Sequence, residues 1–336
     1  MDIKKTAYTI IGFTALFALA TLILFLTKTT KIDFSNSINT DIFGNYGSLV
    51  GGISASLLSL ASVLLIIHSI NAQEKTRILQ NIESRFFELL RFNRENSNNA
   101  LSKGKSGRIV FVEINKEFNE LFKTIKQWYK VENTQNNEIL WQENLINVTF
   151  LIIFFGVDEF QTEFLKSQLK MIITDSKVWD NFKNYVFTPI AGTHKATKEE
   201  NKGKTKSNRQ YLKYDGYQNV LGHYFRHIFQ TVKFINNQTC LSYTEKYEYI
   251  KILRAQLSTH EQVLFFYNSL SNLGKPWEKD EKIKDENIKL ITKYNLVKNI
   301  TFKLNSIIDV KKFYPNVTFE GQPKTPSRIQ LEFKYS

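Results

Sequence analysis

The side chains with the most chemical potential stand on two short apolar stretches. The first, GHYFRHIFQTVKFI, sets His223, Arg226 and His227 among Tyr224, Phe225, Ile228 and Phe229. His223 and His227 are four apart, so on a helix they share a face. A metalloprotease helix with such a pair carries a Glu between the two histidines. Here Tyr224, Phe225 and Arg226 stand there, and a guanidinium beside the pair repels a cation. The pattern argues against zinc, and the sequence implies no metal or other cofactor. Gly104-Lys105-Ser106 has the form of a P-loop tail, but Asn99 occupies the position of the first glycine and no apolar strand precedes it. Nucleotide binding through that segment is rejected.

The second stretch reads YIKILRAQLSTHEQVLFFYNSL. Ser258 followed three residues later by Glu261 is a capping box, which ends one helix near Leu257 and starts another at once. Capping alone accounts for Glu261. Arg254 lies one turn before this corner, where a cation meets terminal carbonyls. Arg254 and His260 also fit the loose Arg-x5-His spacing of HEPN-type ribonucleases, where His acts on the 2′-hydroxyl or leaving group and Arg steadies phosphate charge. No independent base or metal accompanies them, so Arg254, His260 and His223 are weak catalytic candidates and no catalytic residue is assigned. The balance is against an enzyme.

The elements that must position these residues begin in the membrane. Residues 7–27 (AYTIIGFTALFALATLILFLT) and the apolar run 48–70 each reach the roughly 20 residues that span a bilayer core of about 30 Å. The first is too long for a signal-peptide core, and KTTKIDF offers no small-x-small cleavage site. After the second span the chain turns charged without a Pro or Gly. Ile78, Leu79, Ile82, Phe86, Leu89 and Leu90 then repeat at helical spacing, so one long helix leaves the membrane for a soluble domain. Gly47, Gly51 and Ala55 sit four apart, a spacing that lets two helix backbones approach closely in lipid.

A polar loop is expected at 97–107, then a helix with Val112, Phe118, Leu121, Phe122, Ile125 and Trp128 on one face. The segment 138–158 contains LINVTFLIIFFGV, too short for a span and typical of a buried core helix. Residues 158–175 continue as an amphipathic helix. Residues 188–215, rich in Lys, Thr, Asn and Gly, form an exposed basic loop. Helices resume at 217–236, 243–258, 259–271 and about 285–299. Beyond Pro315, Pro323 and Pro326, the alternation of Ile329, Leu331, Phe333 and Tyr335 suggests a closing strand or small hairpin. The expected fold is thus mainly α. Residues 1–71 form a membrane anchor of two transmembrane helices and 72–310 a helical cytoplasmic domain, with 311–336 a Pro-punctuated tail carrying a small β element.

The chain of 336 residues has a net charge of +13, and Lys4, Lys5, Lys28 and Lys31 against Asp2, Asp33 and Asp41 leave only +1 of it in residues 1–71. The soluble part is therefore basic, which favours anionic partners, although a lysine-rich solvated surface accounts for the charge equally well. Nucleic acid is possible as a partner but not strongly indicated. Cys240 is the single cysteine, which rules out an internal disulfide and suits a reducing compartment. These features place both termini in the cytoplasm.

FGNYGSLVGG, QEKTRILQNIESRFFELLRFNRE, GHYFRHIF and LRAQLSTHEQVLFFYN together resemble phage abortive infection proteins, the AbiC-like family. The likeness runs from the paired membrane helices to about Leu270. By position, the family-type residues are His223, Tyr224, Arg226, Arg254, Gln256, Glu261 and Asn268. The resemblance implies a multi-pass bacterial inner-membrane protein that aborts phage propagation by arresting or killing the infected cell. It brings no catalytic mechanism with it. The expected reading is membrane disruption after a phage-derived cue, with the lipid bilayer and further copies of the chain as partners. The alternatives are a membrane-tethered RNase using Arg254 and His260, or a scaffold that recruits a partner.

Overall fold

The structure, a computed structural model, describes residues 2–28, 40–132, 138–157, 214–278, 289–300 and 308–324, and the isolated positions 167, 180–182, 186, 326, 329 and 330. The described residues are mainly helical. They form two compact units, Met1–Arg85 and Phe86–Ser336.

In the first unit, α1 (Ile3–Lys28) and the opening part of α2 (Thr40–Asn98) run antiparallel. Phe25 stacks on Tyr46 with ring centroids 4.4 Å apart and meets Phe43 edge-on at 6.1 Å. Ala7 of α1 and Ala61 of α2 are both buried. Small side chains here let the two backbones close. The side of α2 turned to α1 carries Tyr46, Val50, Ser54, Leu57 and Ala61, at three- and four-residue steps. Gly47, Gly51 and Ala55 fall one residue further on, about 100° round the helix, and are exposed. A Cβ on Gly47 or Gly51 would meet nothing within 4 Å. The small-residue row is therefore not what packs α2 on α1. Elsewhere the pair shows apolar side chains outward, with Leu16 68% and Phe13 63% exposed. Both helices are long and apolar enough to cross a membrane.

In the second unit the closing turns of α2 bury Phe86, Leu90, Asn93 and Ser97 on one face. The polar loop expected at 97–107 has more structure than its composition suggests. The helix runs to Asn98, and Leu101–Ser102 (β1) pairs with Lys105–Ser106 (β2) in a minimal antiparallel hairpin. Lys103 and Gly104 both have positive φ, 50° and 74°, the geometry of a two-residue turn that follows strand twist.

Seven further helices and one 3₁₀ turn complete the described unit. They are α3 (Ile109–Glu132), α4 (Glu138–Phe155), α5 (Gln218–Asn236), α6 (Tyr243–Gln256), α7 (Thr259–Leu270), the 3₁₀ turn (Asn272–Trp277), α8 (Leu290–Tyr294) and α9 (Val310–Phe313). The apolar run of α4 is core, as its length suggests: Ile146, Phe150, Leu151 and Ile152 have no solvent exposure. Packed against α4 are α3, α5 and α7, and α6 lies on α5. Phe118 of α3 stacks face to face on Tyr267 of α7 at 3.7 Å.

The chain enters α5 beside the end of α4 through a close crossing. Gly156 (φ +77°) and Gly216 (φ +79°) lie back to back, and a Cβ on Gly216 would sit 2.5 Å from the Phe155 carbonyl oxygen. Only glycine combines that backbone with that approach.

Three expectations need adjustment. The helix expected at 285–299 is short, because Lys289 and Asn295 adopt left-handed backbone (φ 46° and 51°) at either end of α8; residues 279–288 lie outside the described ones. Ile329 and Gln330 are helical, and residues 331–336 lie outside the described ones, so no C-terminal strand is found among the described residues. The helix expected at 158–175 and the basic loop at 188–215 fall almost wholly outside them.

Candidate functional site

The capping box at Ser258 and Glu261 is formed. The Glu261 amide donates to Ser258 Oγ at 3.3 Å, and Glu261 Oε2 accepts from the Ser258 amide at 2.6 Å. Because α6 stops at Gln256 and α7 starts at Thr259, this corner turns Glu261 inward, where it has no exposure. Its other oxygen, Oε1, accepts from Ser97 Oγ on the last turn of α2 at 2.7 Å. Arg108, at the start of α3, brings Nε to 3.8 Å from Oε2 and donates through Nη2 to the Gln256 carbonyl at 2.7 Å. One carboxylate thus ties together α2, α7 and, through Arg108, the segment before α3. A buried carboxylate is tolerated when its charge is paired and its lone pairs are filled, and both conditions hold here.

Tyr224 of α5 belongs to the same cluster. Its hydroxyl is buried beside Glu261 and Ser97 but makes no hydrogen bond of ordinary geometry. Burial, and then the negative charge of Glu261, push its ionisation well above the usual tyrosine range. The hydroxyl therefore stays protonated, a donor beside the Glu261 carboxylate. Asn93 Oδ1, Asn96 Nδ2 and Gln256 Oε1 are also buried without hydrogen-bond partners among the described residues.

The other residues singled out from sequence go elsewhere. Arg254 is buried, and its Nη1 donates to the carbonyls of Asn295 at 3.0 Å and Tyr294 at 3.3 Å, with the guanidinium 6.0 Å from the Tyr247 ring centre. It meets terminal carbonyls, but those of α8 rather than of its own helix. His260 is half-buried and its carbonyl accepts from Asn115 Nδ2 of α3 at 2.8 Å; Asn115 Nδ2 also lies 3.4 Å from its Nδ1. Burial and the Lys116 cation lower its pKa. The described partners of Arg254 and His260 thus lie on different elements, α8 and α3. His223 is exposed on α5, and His227 is tilted against Phe92 of α2 at 6.4 Å. Among the described residues, no group of three or more His, Cys, Asp or Glu could hold a metal ion.

Arg226 and Asn268 come together in a second place. They line an open groove of about 230 Å³ between α5, α7 and the 3₁₀ turn, walled by Phe154, Phe225, Phe229 and Trp277. Trp277 meets Phe229 and Phe265 edge-on at 5.0 and 4.7 Å. Arg226 is exposed and Asn268 is 4% exposed; neither side chain has an ion pair or hydrogen bond among the described residues.

Sequence reasoning did not find Ser97, Arg108, Asn115 or Trp277. Ser97 and Arg108 sit in or beside SNNALSKGKSG, whose composition reads as a solvated loop. Nothing local distinguishes a serine that faces a carboxylate 164 positions away.

Residues 216–304 match the model of the family described as putative phage abortive infection protein. No curated protein and no solved structure matches the chain. The matched segment is narrower than the blocks that suggested the resemblance, since α1 and α2 lie outside it. It contains α5 to α8, hence Tyr224, Arg226, Arg254, Glu261 and Asn268. The segment that supplies Tyr224 and Glu261 to the cluster and Arg226 and Asn268 to the groove is therefore similar to a phage abortive infection family, which implies a role in aborting phage infection.

Proposed function

We propose that this protein is an abortive-infection effector seated in the bacterial inner membrane, which makes the membrane leaky once a phage-derived cue acts on its cytoplasmic helices. The observation that carries the reading is α2. Its opening half is an exposed apolar span, and its last turn gives Ser97 to Glu261 in the segment that matches the family. A change in how α5 and α7 hold that turn has a covalent path to the span. Phe86 against Tyr249 (5.0 Å) and Phe92 against His227 add apolar grip at the same end.

In this reading both termini are cytoplasmic and α1 and α2 cross the bilayer. Copies of the chain associate through Gly47, Gly51 and Ala55, the small row that α1 leaves uncovered. The test is membrane potential, read by dye fluorescence in phage-infected cells with and without the protein. Depolarisation before lysis is expected, and replacing Gly47 and Gly51 with Leu should abolish protection at unchanged expression. An intact potential in cells that still stop making phage would overturn membrane disruption; RNA fragments lost in His260→Ala would replace it with RNA cleavage.

A further inference from the structure

We propose that the groove between α5, α7 and the 3₁₀ turn is a binding site for a mononucleotide, with the base against Phe225, Phe229 and Trp277 and the phosphate on Arg226. Three features of the groove converge on that chemistry. Its walls are aromatic, and any planar base gains from lying against such rings. A carboxamide, Asn268, sits in the wall almost wholly buried and without a side-chain hydrogen bond among the described residues, offering a donor and an acceptor side by side. This matches the paired donor and acceptor on the edge of a base. The Arg226 guanidinium, unpaired among the described residues, lines the groove, and its fork suits phosphate oxygens.

The surroundings agree in sign and size. Arg226 is the charged residue in the lining; Lys233 lies over the Phe229 ring at 5.7 Å, and Lys275 is exposed on the 3₁₀ turn next to Pro276 of the lining. The volume of about 230 Å³ is below the roughly 300 Å³ at which drug-sized sites begin. It suits one base with its sugar, leaving a phosphate at the open side. A fatty or simple aliphatic acid would satisfy Arg226 but leave the Asn268 carboxamide buried and unmatched, which disfavours it.

The site also touches the proposed mechanism without depending on it. Arg226 is two residues from Tyr224, on the opposite side of α5, and Asn268 is two turns along α7 from Glu261. An occupant would therefore grip α7, whose Glu261 holds Ser97, and α5, whose Tyr224 lies beside that pair. The experiment reads binding alone, so its failure is separate from any failure of the membrane reading.

The full chain in detergent micelles is titrated with AMP, GMP, CMP and UMP, following tryptophan fluorescence and thermal shift. Adenosine and inorganic phosphate serve as half-ligand arms. Saturable binding of at least one nucleotide is expected, at least about tenfold tighter than either half, since a charge-assisted pair contributes roughly that much. Arg226→Gln should remove the phosphate's advantage, leave adenosine binding unchanged, and leave the unfolding temperature unchanged. Asn268→Leu should weaken nucleotide and nucleoside alike. No saturable nucleotide binding at millimolar concentration, binding insensitive to Arg226→Gln, or preference for N-acetylphenylalanine over every nucleotide would each overturn the proposal.

Discussion

The helices α5 and α7 carry two polar sites with opposite logic. In the Glu261 cluster the polar atoms mostly face one another: a carboxylate with no exposure takes Ser97, the Ser258 amide and the nearby Arg108. In the groove the polar atoms face outward: Arg226 and Asn268 have no partner among the described residues, and the surrounding rings leave space of about 230 Å³. A closed cluster holds elements in place, and removing any member exposes the rest to burial without compensation. An open one contributes little to folding and is available to something else. The matched segment, residues 216–304, contributes residues to both: Tyr224 and Glu261 to the one, Arg226 and Asn268 to the other.

Substitution at Glu261 should have the largest effect. Glu261→Leu leaves the Ser258 amide without its acceptor, the Ser97 hydroxyl with only the Asn93 carbonyl and Arg108 without its counter-charge, and it removes the cap, for a loss of about 4 kcal/mol. Thermal unfolding of the purified protein should show this as a large fall in Tm, with Glu261→Gln falling far less because an oxygen remains to accept. A small fall for Glu261→Leu would break the distinction between the two sites.

Glu278 sharpens the contrast, because it is a half-buried carboxylate without the full set of partners among the described residues. Its Oε1 has none, and burial pushes its pKa up to about 7 from the ordinary 4.5. The amides of Ile291 and Thr292, at the start of α8, and the Lys289 cation oppose that rise without cancelling it. The folded protein thus holds a proton that the unfolded chain releases. The contribution is complete below pH 4.5 and is lost as pH rises through about 7. Glu278→Gln should stabilise the protein above pH 7 by up to about 3 kcal/mol and change little in acid. Equal Tm shifts at both ends of that range would show that Glu278 is not the titrating group.

Tyr224→Phe tests the edge of the Glu261 cluster. The hydroxyl has no acceptor in ordinary geometry, so its removal should cost less than about 1 kcal/mol, and a slight gain is consistent with relieving a buried unpaired group. A loss approaching that of Glu261→Leu would mean that Tyr224 is a full member of the cluster. The smallest stability change belongs to Arg226→Gln, within about 0.5 kcal/mol, as for most exposed positions. Its effect should appear in binding instead.

Periodicity and capping are local properties, so they could be read from the chain alone. The two apolar spans, the buried run of α4 and the Ser258–Glu261 corner each depend on neighbours within a turn or two, and each is found where the sequence puts it. The hairpin at 101–106 was hidden by a composition that looks solvated, and the short α8 by left-handed residues that any helical pattern overlooks. Tertiary structure alone decided which of the conspicuous polar residues meet. Arg254 and His260, close in sequence, turn to α8 and α3, whereas Ser97 and Glu261, 164 positions apart, share a hydrogen bond. Spacing fixes the side of a helix on which a residue stands, but its partner depends on which helix packs against that side, and that is set by the burial of apolar faces distant in the chain.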